Sequence, residues 1–335
     1  MALEQKTLDT LAGATDGAAW GAIVESALKT AAGPLAKETA PGAAANRDSA
    51  IGELDLFLSS CGWELWHSFH SHVTPTSAKL VQWWGDNPGG KAALILDALS
   101  LRELPWLLQG AQAHGFSVHK TTATASELPG TTDAFAHALG FAHGRGQLAN
   151  NGGGSKHKLQ PAGTESTDMN WVDCQGLVKS SPNIVFWHHW FDDRLHGADN
   201  KATGLDVLTK EAATQLSSDG FWGFAKRLAN GRRLVITSDH GYAYTGAFSD
   251  EKGGVKDFLK AAFAAGRCAK GPADPGPYLP PIALRIDNQH GANLLALGRR
   301  KWAVSGGHPK LAHGGLTLLE VLCPWVELNF EGEKQ

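Results

Sequence analysis

The chain has 335 residues, and its 30 lysines and arginines against 33 aspartates and glutamates give a formal net charge of −3. Hydrophobic residues make up 42% of the chain and charged residues 19%, an ordinary globular composition that excludes wholesale disorder. The near-neutral charge excludes a strongly basic protein that coats DNA, although it leaves a local basic groove open.

Targeting and redox features predict a cytoplasmic protein without a membrane segment. The apolar run 92–96 is among the longest, far below the roughly 20 residues that a membrane span needs. Residues 1–30 contain acidic side chains and no compact apolar region of a secretory signal. Four cysteines lie far apart and form no CxxC pair: Cys61, Cys174, Cys268 and Cys323. This spacing favours buried thiols in a reducing compartment over a disulfide framework or a thiolate zinc site.

Residues 1–88 are predicted to form a small helical segment ahead of the main domain. Apolar residues recur at helical spacing over 18–28 and again over 48–57. The stretch between them, 40–46 (APGAAAN), has the composition of a loop or linker. Few side chains here carry chemistry, so we interpret the segment as a helical cap or packing arm.

Residues 89–330 are predicted to form one α/β domain. Short apolar runs predict strands at 92–96, 116–119, 183–187, 232–237, 282–286 and 301–304. Amphipathic stretches predict helices at 99–108, 132–139 and 209–228, the last with a break near Gly220, while 320–326 begins helical and ends extended. This alternation predicts a mainly parallel central sheet with helices on both faces.

Two long segments lack regular patterning. Residues 144–161 are rich in Gly, Asn and Ser, and residues 268–281 are rich in Pro and Gly. Long structureless segments in a compact domain often border a functional site. A simple surface insertion is the alternative for each.

Potential metal ligands follow three of the predicted strands. These are Asp97, the pair His188-His189 and the pair Asp239-His240. In open α/β sheets, sites form beyond the carboxyl ends of the strands, so these side chains are placed where a site is expected. For Asp239-His240 the alternative is a turn in which the aspartate accepts from backbone amides.

Asp192 and His196 are four residues apart, so one side of a helical turn presents both to a single ion. A carboxylate oxygen with an imidazole nitrogen suits Zn²⁺ or Mn²⁺ better than Ca²⁺. Asp193 can replace Asp192 in this role, and a surface Asp–His pair is the structural alternative. His313 precedes two glycines, where the backbone can approach a ligand closely, and His308 competes for its role.

Thr131 and Thr132 are candidates for a nucleophile. They follow Leu128, Pro129 and Gly130 and precede an apolar run, as residues at a helix N-terminus do. Helix N-termini attract anions through free amides, and a hydroxyl beside a divalent cation can ionise and attack phosphorus. A plain threonine N-cap is the alternative.

In chain order the candidates are Asp97, Thr132, Asp192-x3-His196, Asp239-His240 and His313. This order resembles the alkaline phosphatase superfamily, with one Asp, a Ser or Thr nucleophile, a DxxxH pair, a DH pair and a last His.

Local motifs over residues 90–330 resemble the PglZ domain of that superfamily more narrowly. Residues 94–103 (LILDALSLRE) are similar to its opening, and 128–132 (LPGTT) to its LPSxT nucleophile turn, with Gly130 where Ser is common. Residues 236–242 (ITSDHGY) resemble its SDHG motif, and 313–320 (HGGLTLLE) its HGGLSxxE motif, with Thr317 for Ser. Many members carry YHxxID followed by an acid, where this chain has 188–192 (HHWFD) and then His196.

The resemblance implies an alkaline-phosphatase-like fold and a two-metal site for phosphoryl transfer. One ion would be held by Asp192, His196 and His313, and the other by Asp97, Asp239 and His240, with Thr132 beside it as nucleophile. The histidine at position 196 favours zinc, with Mn or Mg as alternatives. The spacing from Pro129 favours Thr132 over Thr131. His188, Arg102 and Arg194 are candidates to contact substrate or to support the ligands.

For function, the resemblance implies a metal-dependent phosphodiesterase or nuclease that cuts phosphate esters. Nucleotides, oligonucleotides or DNA would be its substrates, and the proteins of a bacterial phage-defence system of the BREX type its partners. The charge of −3 favours short or cyclic oligonucleotides, because affinity for long duplex depends on many phosphate contacts. The alternatives are a phosphomonoesterase or sulfatase with the same metal cage, and a catalytically silent scaffold of a defence complex.

Overall fold

The computed structural model describes Asp9, Leu11 and residues 13–35, 40–86, 88–196, 204–304 and 310–330. Its strands are β1 (Lys91–Leu96), β2 (Ser117–Ala125), β3 (Gly163–Thr167), β4 (Asn183–His188), β5 (Arg233–Thr237), β6 (Ala243–Tyr244), β7 (Cys268–Lys270), β8 (Ala283–Asn288), β9 (Gly291–Ala296), β10 (Leu311–Ala312) and β11 (Leu322–Asn329). Its helices are α1 (Asp16–Ala32), α2 (Ala40–Ser60), α3 (Phe69–His72), α4 (Thr76–Asp86), α5 (Leu104–Ala113), α6 (Thr132–Leu139), α7 (Trp171–Leu177), α8 (Trp190–His196), α9 (Leu205–Leu216), α10 (Asp219–Ala229), α11 (Gly253–Phe263) and α12 (Leu318–Val321).

A six-stranded sheet in the order β2–β11–β5–β1–β4–β3 forms the centre of the fold. Strands β3, β4, β1 and β5 pair in parallel. Strand β11 runs antiparallel to both of its neighbours, β5 and β2. The predicted mainly parallel sheet is confirmed. Smaller sheets join β10 to β6 and β7 to β9 to β8.

Helices cover both faces of this sheet, as predicted. Successive side chains of a strand point to opposite faces. Ala92, Leu94 and Leu96 of β1 therefore pack in one buried cluster with residues of α1, α2, α5, α9 and α10. Ala93 and Ile95 pack in a second cluster with residues of α4 and α6.

The predicted linker at 40–46 is wrong, because α2 begins at Ala40 and continues to Ser60. Alanine has the highest intrinsic helix propensity, and Pro41 lies in the first turn, where proline is tolerated. Ala43 and Ala44 are buried in the same cluster as β1. The first helices therefore pack directly on the sheet, and the division of the chain at residue 88 stays a prediction.

Single elements also differ between the sequence prediction and the structure. The break in 209–228 falls between Leu216 and Asp219, because the Ser218 hydroxyl accepts from Phe221 N at 3.1 Å and caps α10. The predicted strand at 301–304 is wrong, since Lys301 forms only an isolated bridge with Asp250. The segment 268–281, predicted as a loop, contains β7 at its start. Within the ranges given above, no helix combines the length and hydropathy needed to cross a membrane.

Candidate metal centre

The predicted ligands meet beyond the carboxyl ends of the parallel strands. Asp97 directly follows β1, and Asp239 and His240 follow β5 after a single serine. Helix α8, which begins two residues after β4, carries Asp192 and His196. Parallel strands end at one edge of a sheet, so residues from distant parts of the chain become neighbours there.

Asp192, His196 and His313 form one candidate ligand group. Asp192 Oδ1 lies 3.2 Å from His196 Nε2 and 3.8 Å from His313 Nε2, and the two Nε2 atoms are 2.9 Å apart. Ligand atoms around a tetrahedral zinc ion with bonds of about 2.0–2.1 Å are separated by roughly 3.3–3.4 Å. The three distances scatter around that value, so the group fits one ion of this size.

Asp97, Asp239 and His240 form a second candidate group, and all three side chains are fully buried. His240 Nε2 lies 3.7 Å from Asp97 Oδ1 and 3.5 Å from Asp239 Oδ2. Asp239 Oδ1 accepts from the Ala98 amide at 3.0 Å, whereas Oδ2 accepts no hydrogen bond from any described residue. A buried carboxylate oxygen without a donor costs free energy, and a cation bound there would compensate it.

Two of the histidines are held in the tautomer that can bind a metal ion. His313 Nδ1 donates to the Gly130 carbonyl at 3.0 Å, and His240 Nδ1 donates to the Gly241 carbonyl at 2.9 Å. Each bond leaves the lone pair on Nε2, which faces the other ligands of its group. Burial also lowers the pKa of His313 to about 3, so this imidazole is neutral.

Two carboxylates of the site, Asp97 and Asp239, have raised pKa values, whereas the bond from His196 and the neighbouring histidines outweigh burial and lower the pKa of Asp192. Burial, followed by the charges of Asp239 and Asp192, raises the pKa of Asp97 well above its ordinary value. Burial likewise raises the pKa of Asp239 to about 6. Like charges crowded in a dry site favour protonation unless cations neutralise them. The residues present therefore fit divalent cations on charge as well as on geometry.

Thr131 and Thr132 occupy different positions. The Thr131 hydroxyl accepts from Ala134 N at 3.4 Å and caps α6. Thr132 is the first residue of that helix, and its Oγ1 lies 3.3 Å from Asp97 Oδ1 and 3.5 Å from His240 Nε2. The hydroxyl at the second ligand group is therefore that of Thr132.

The structure does not bring the other three candidates to either group. His188 is buried, donates from Nε2 to the Met169 carbonyl at 2.8 Å and packs on Trp171 with ring centroids 3.8 Å apart. Arg102 is buried and bonds to Asp48 and to a backbone carbonyl. Arg194 is half-exposed and paired with Glu211, 2.5 Å away. His308 lies outside the described residues.

Arg145 reaches the site although no motif pointed to it. Its Nη1 donates to Asp97 Oδ2 and lies 3.4 Å from Asp192 Oδ2, so one guanidinium joins a carboxylate from each ligand group. Its Nη2 lies 3.5 Å from Asp193 Oδ1, and a quarter of the side chain is exposed. The signal in the sequence is the glycine-rich segment 144–161, predicted to border a functional site, and Arg145 of this segment contacts both candidate ligand groups.

Glu320 is the acid at the end of the HGGLTLLE motif, and its hydrogen bonds show its structural role. Its carboxylate accepts from Gly315 N at 2.9 Å, from the Thr317 hydroxyl at 2.8 Å and from Arg267 Nε at 2.7 Å. These bonds close the turn that follows His313. Glu320 therefore holds a ligand-bearing turn without being a ligand.

A third cluster of potential ligands lies at the same edge of the sheet and is more exposed. It consists of Asp168, His189 and Asp193, and His189 Nδ1 donates to Asp193 Oδ2 at 2.5 Å. Asp193 belongs to this cluster and to the contacts of Arg145, not to the first ligand group. Its predicted ability to replace Asp192 stays a prediction.

Comparisons with known proteins show only a weak likeness. No protein-family model and no curated protein matches the chain. Among solved structures, phosphonoacetate hydrolase from Sinorhizobium meliloti 1021 in complex with phosphonoformate matches at 11% identity, 77% coverage of this chain, 68% coverage of that chain and a TM-score of 0.32. The complex of the same enzyme with phosphonoacetate matches at 12% identity with equal coverage and a TM-score of 0.29. A likeness this low carries no information about what the chain binds.

Proposed function

We propose that the chain is a metal-dependent hydrolase of phosphate esters, with a diester as its preferred substrate and Thr132 as its nucleophile. The observation that supports this most strongly is the Thr132 hydroxyl, which lies against Asp97 and His240 in a buried group suited to a cation. Threonine is a weak nucleophile unless a neighbour activates it. Two divalent ions, with zinc first among the candidates, would supply Lewis-acid charge for the attacking and leaving oxygens.

The side chains of the chain itself would orient the reacting groups. Thr132 Oγ1 would form a bond to phosphorus while the bond from phosphorus to the leaving oxygen breaks, and the proton that the hydroxyl loses would balance the one that the leaving oxygen takes up. Water would then attack phosphorus, the bond from Oγ1 to phosphorus would break, and Oγ1 would take back a proton as the phosphate product leaves. Arg145, which contacts a carboxylate of each ligand group, would bind a non-bridging phosphate oxygen.

Substitution of Thr132 tests this proposal. In metal-loaded protein, Thr132→Ala is expected to abolish hydrolysis of bis-p-nitrophenyl phosphate while the bound metal remains, because the variant loses the attacking oxygen and keeps all six residues of the two ligand groups. Thr131→Ser is the matched control, since it keeps the hydroxyl that caps α6 and should keep wild-type turnover. Unchanged hydrolysis by Thr132→Ala would contradict the assignment.

Substrate class is tested with three model esters. Faster turnover of bis-p-nitrophenyl phosphate than of p-nitrophenyl phosphate or p-nitrophenyl sulfate supports a diesterase, and the reverse order supports a monoesterase or sulfatase. Retained metal without turnover of any ester supports the scaffold. An oligonucleotide substrate and a role in BREX-type phage defence rest on the PglZ resemblance alone, and short linear and cyclic oligonucleotides test the first of them.

A further inference from the structure

A tight hairpin turn outside the central sheet docks against the segment that precedes Thr132. Strands β8 and β9 pair from Ala283 to Ala296, and Asn288 pairs with Gly291, so Gln289 and His290 form the tip. The tip contacts Glu127 and Leu128, which lie between β2 and the turn before α6. No motif in the sequence connected these two parts of the chain.

Asn288 uses both ends of its side-chain amide. Its Oδ1 accepts from the backbone amide of His290 at 2.8 Å, which closes the hairpin turn. Its Nδ2 donates to the Leu128 carbonyl at 2.5 Å. One side chain thus sets the shape of the hairpin tip and ties that tip to the nucleophile turn.

Glu127 provides a second attachment. Its carboxylate is buried, accepts from Gln289 Nε2 at 3.1 Å and from His290 Nε2 at 2.7 Å, and receives a further bond from the Ser77 hydroxyl. Burial alone would raise the pKa of Glu127, but the bonds from His290 and Ser77 outweigh burial and lower it. The carboxylate is therefore ionised, and its charge-assisted bonds to the hairpin are strong ones.

Every backbone carbonyl from 126 to 130 has a donor. The donors, in chain order, are His70 Nε2 at 2.9 Å, Ser126 Oγ at 2.8 Å, Asn288 Nδ2 at 2.5 Å, Thr131 N at 2.9 Å and His313 Nδ1 at 3.0 Å. A buried segment in this state cannot shift without leaving a carbonyl unpaired. The hairpin supplies the bond at Leu128, the middle of the five.

We propose that Asn288 and His290 are positioning residues for the Thr132 hydroxyl. Through Leu128 and Glu127, they fix the turn that places Thr132 Oγ1 beside Asp97 and His240. Neither residue touches the reacting atoms, so both act through the backbone of the turn. This inference rests on the proposed function, because a position matters for turnover only if Thr132 attacks the substrate.

Asn288→Asp removes the donor to Leu128 and adds a negative charge, a change that the control variant below makes as well. Aspartate keeps the oxygen that accepts from the His290 amide, but it replaces the NH₂ donor with an acceptor that faces the Leu128 carbonyl. We expect kcat for bis-p-nitrophenyl phosphate to fall about 10-fold to 100-fold, since small misplacements of reacting groups cost that much. KM and metal content should stay at the wild-type values, because the ligands are untouched.

Asn183→Asp is the matched control. Asn183 Nδ2 donates to the Pro161 carbonyl at 3.0 Å, and its Oδ1 accepts from the Lys91 amide. The substitution therefore makes the same chemical change at the amino end of β4, at the other end of the parallel strands from the ligand groups. We expect Asn183→Asp to keep the wild-type kcat for bis-p-nitrophenyl phosphate. In a second pair, His290→Gln keeps a donor for Glu127 and should retain most of kcat, whereas His290→Leu should lower it.

Amide hydrogen exchange of residues 126–134 provides a readout that is independent of turnover. Exchange should be faster in Asn288→Asp than in Asn183→Asp and in the wild type. Wild-type kcat and exchange in Asn288→Asp would overturn the positioning role, as would an equal loss of kcat in both Asn variants. Failure of the metal-loaded wild type to hydrolyse any ester would instead overturn the proposed function, and exchange would then still decide whether the hairpin holds the turn.

Discussion

Arg145 joins the two ligand groups and brings a positive charge into contact with both of them. Its bonds to Asp97 and Asp192 place a fork of donors between the groups. Proximity in sequence alone makes Arg102 and Arg194 candidates for contact with substrate, but their partners are Asp48 and Glu211. Arg102 is buried and Arg194 pairs near the surface, and both environments depend on tertiary contacts that the local sequence does not reveal.

We predict that Arg145→Gln weakens the binding of inorganic phosphate to metal-loaded protein by about 10-fold to 100-fold. A hydrogen bond to a charged group contributes about 1.5–3 kcal/mol, which corresponds to that change in affinity. Calorimetric titration with phosphate measures it. Arg194→Gln, which removes an arginine at the half-exposed Glu211 pair, is the control and should bind as the wild type. Equal affinity in the two variants would exclude Arg145 from substrate binding.

We predict that burial of His188 lowers the free energy of unfolding in mild acid. Burial lowers its pKa to about 4, against about 6.5 in an unfolded chain, so the fold favours the neutral ring. The stability that this neutral ring contributes is complete above pH 6.5 and is lost as the pH falls toward 4. Between pH 7 and pH 5, the expected loss in free energy of unfolding is roughly 2 kcal/mol.

Urea denaturation of chelator-treated protein checks this prediction. His188→Gln keeps a donor for the Met169 carbonyl and has no ring to titrate, so its stability should fall less than that of the wild type over the same pH range. Parallel pH profiles for the two proteins would show that His188 carries no such linkage.

At the scale of elements, α2 is tied to the turn that carries His313. Asp55 of α2 accepts from the Leu318 amide at 2.7 Å and from Arg299 Nε at 2.7 Å, and Asp48 pairs with Arg102 and Arg299. These charges are buried, so each depends on its partner. Helix α2 therefore does more than cover the sheet, since it holds the start of α12.

Asp55→Asn is predicted to lower the free energy of unfolding by about 3 kcal/mol, because it removes one of the two carboxylates that compensate a buried arginine. Asparagine keeps the oxygen that accepts from Leu318, so the effect reports the loss of the negative charge and of the bond from Arg299 Nε. Glu211→Gln breaks the more exposed pair with Arg194 and should cost about 1 kcal/mol or less. Urea denaturation compares the two, and equal losses would contradict a buried network of this strength.

The sequence predicted elements well where local pattern determines them and less well where packing does. Strand β1 and the acid after it follow from an apolar run that ends at Asp97. Pro41 and Gly42 are typical of a turn and predict a linker over 40–46, whereas burial of Ala43 and Ala44 favours the helix that the structure shows. The hairpin at 288–291 could not be connected to Glu127, since 163 positions separate Glu127 from His290.

At the scale of the whole molecule, the parallel sheet explains why scattered motifs become one site. Strands β1, β4 and β5 are direct neighbours, so the residues that follow them lie side by side. The strand ends in the sequence predicted this placement for Asp97 and for Asp239, whereas Asp192 joined the predicted site through its spacing from His196 and through the family resemblance. The position of His313 depends on its bond to the Gly130 carbonyl and on the bond from Gly315 N to Glu320. No local sequence pattern specifies these contacts.

Elemental analysis of the purified protein tests the central claim most directly, namely that these side chains form two separate cation sites. We predict about two divalent ions per chain in the wild type, in line with paired metal sites of this kind. Asp239→Asn should lose the ion held with Asp97 and His240 and keep the one held by Asp192, His196 and His313. A wild-type protein that binds no ion when supplied with Zn²⁺ or Mn²⁺, or an Asp239→Asn variant that keeps both ions, would contradict the account.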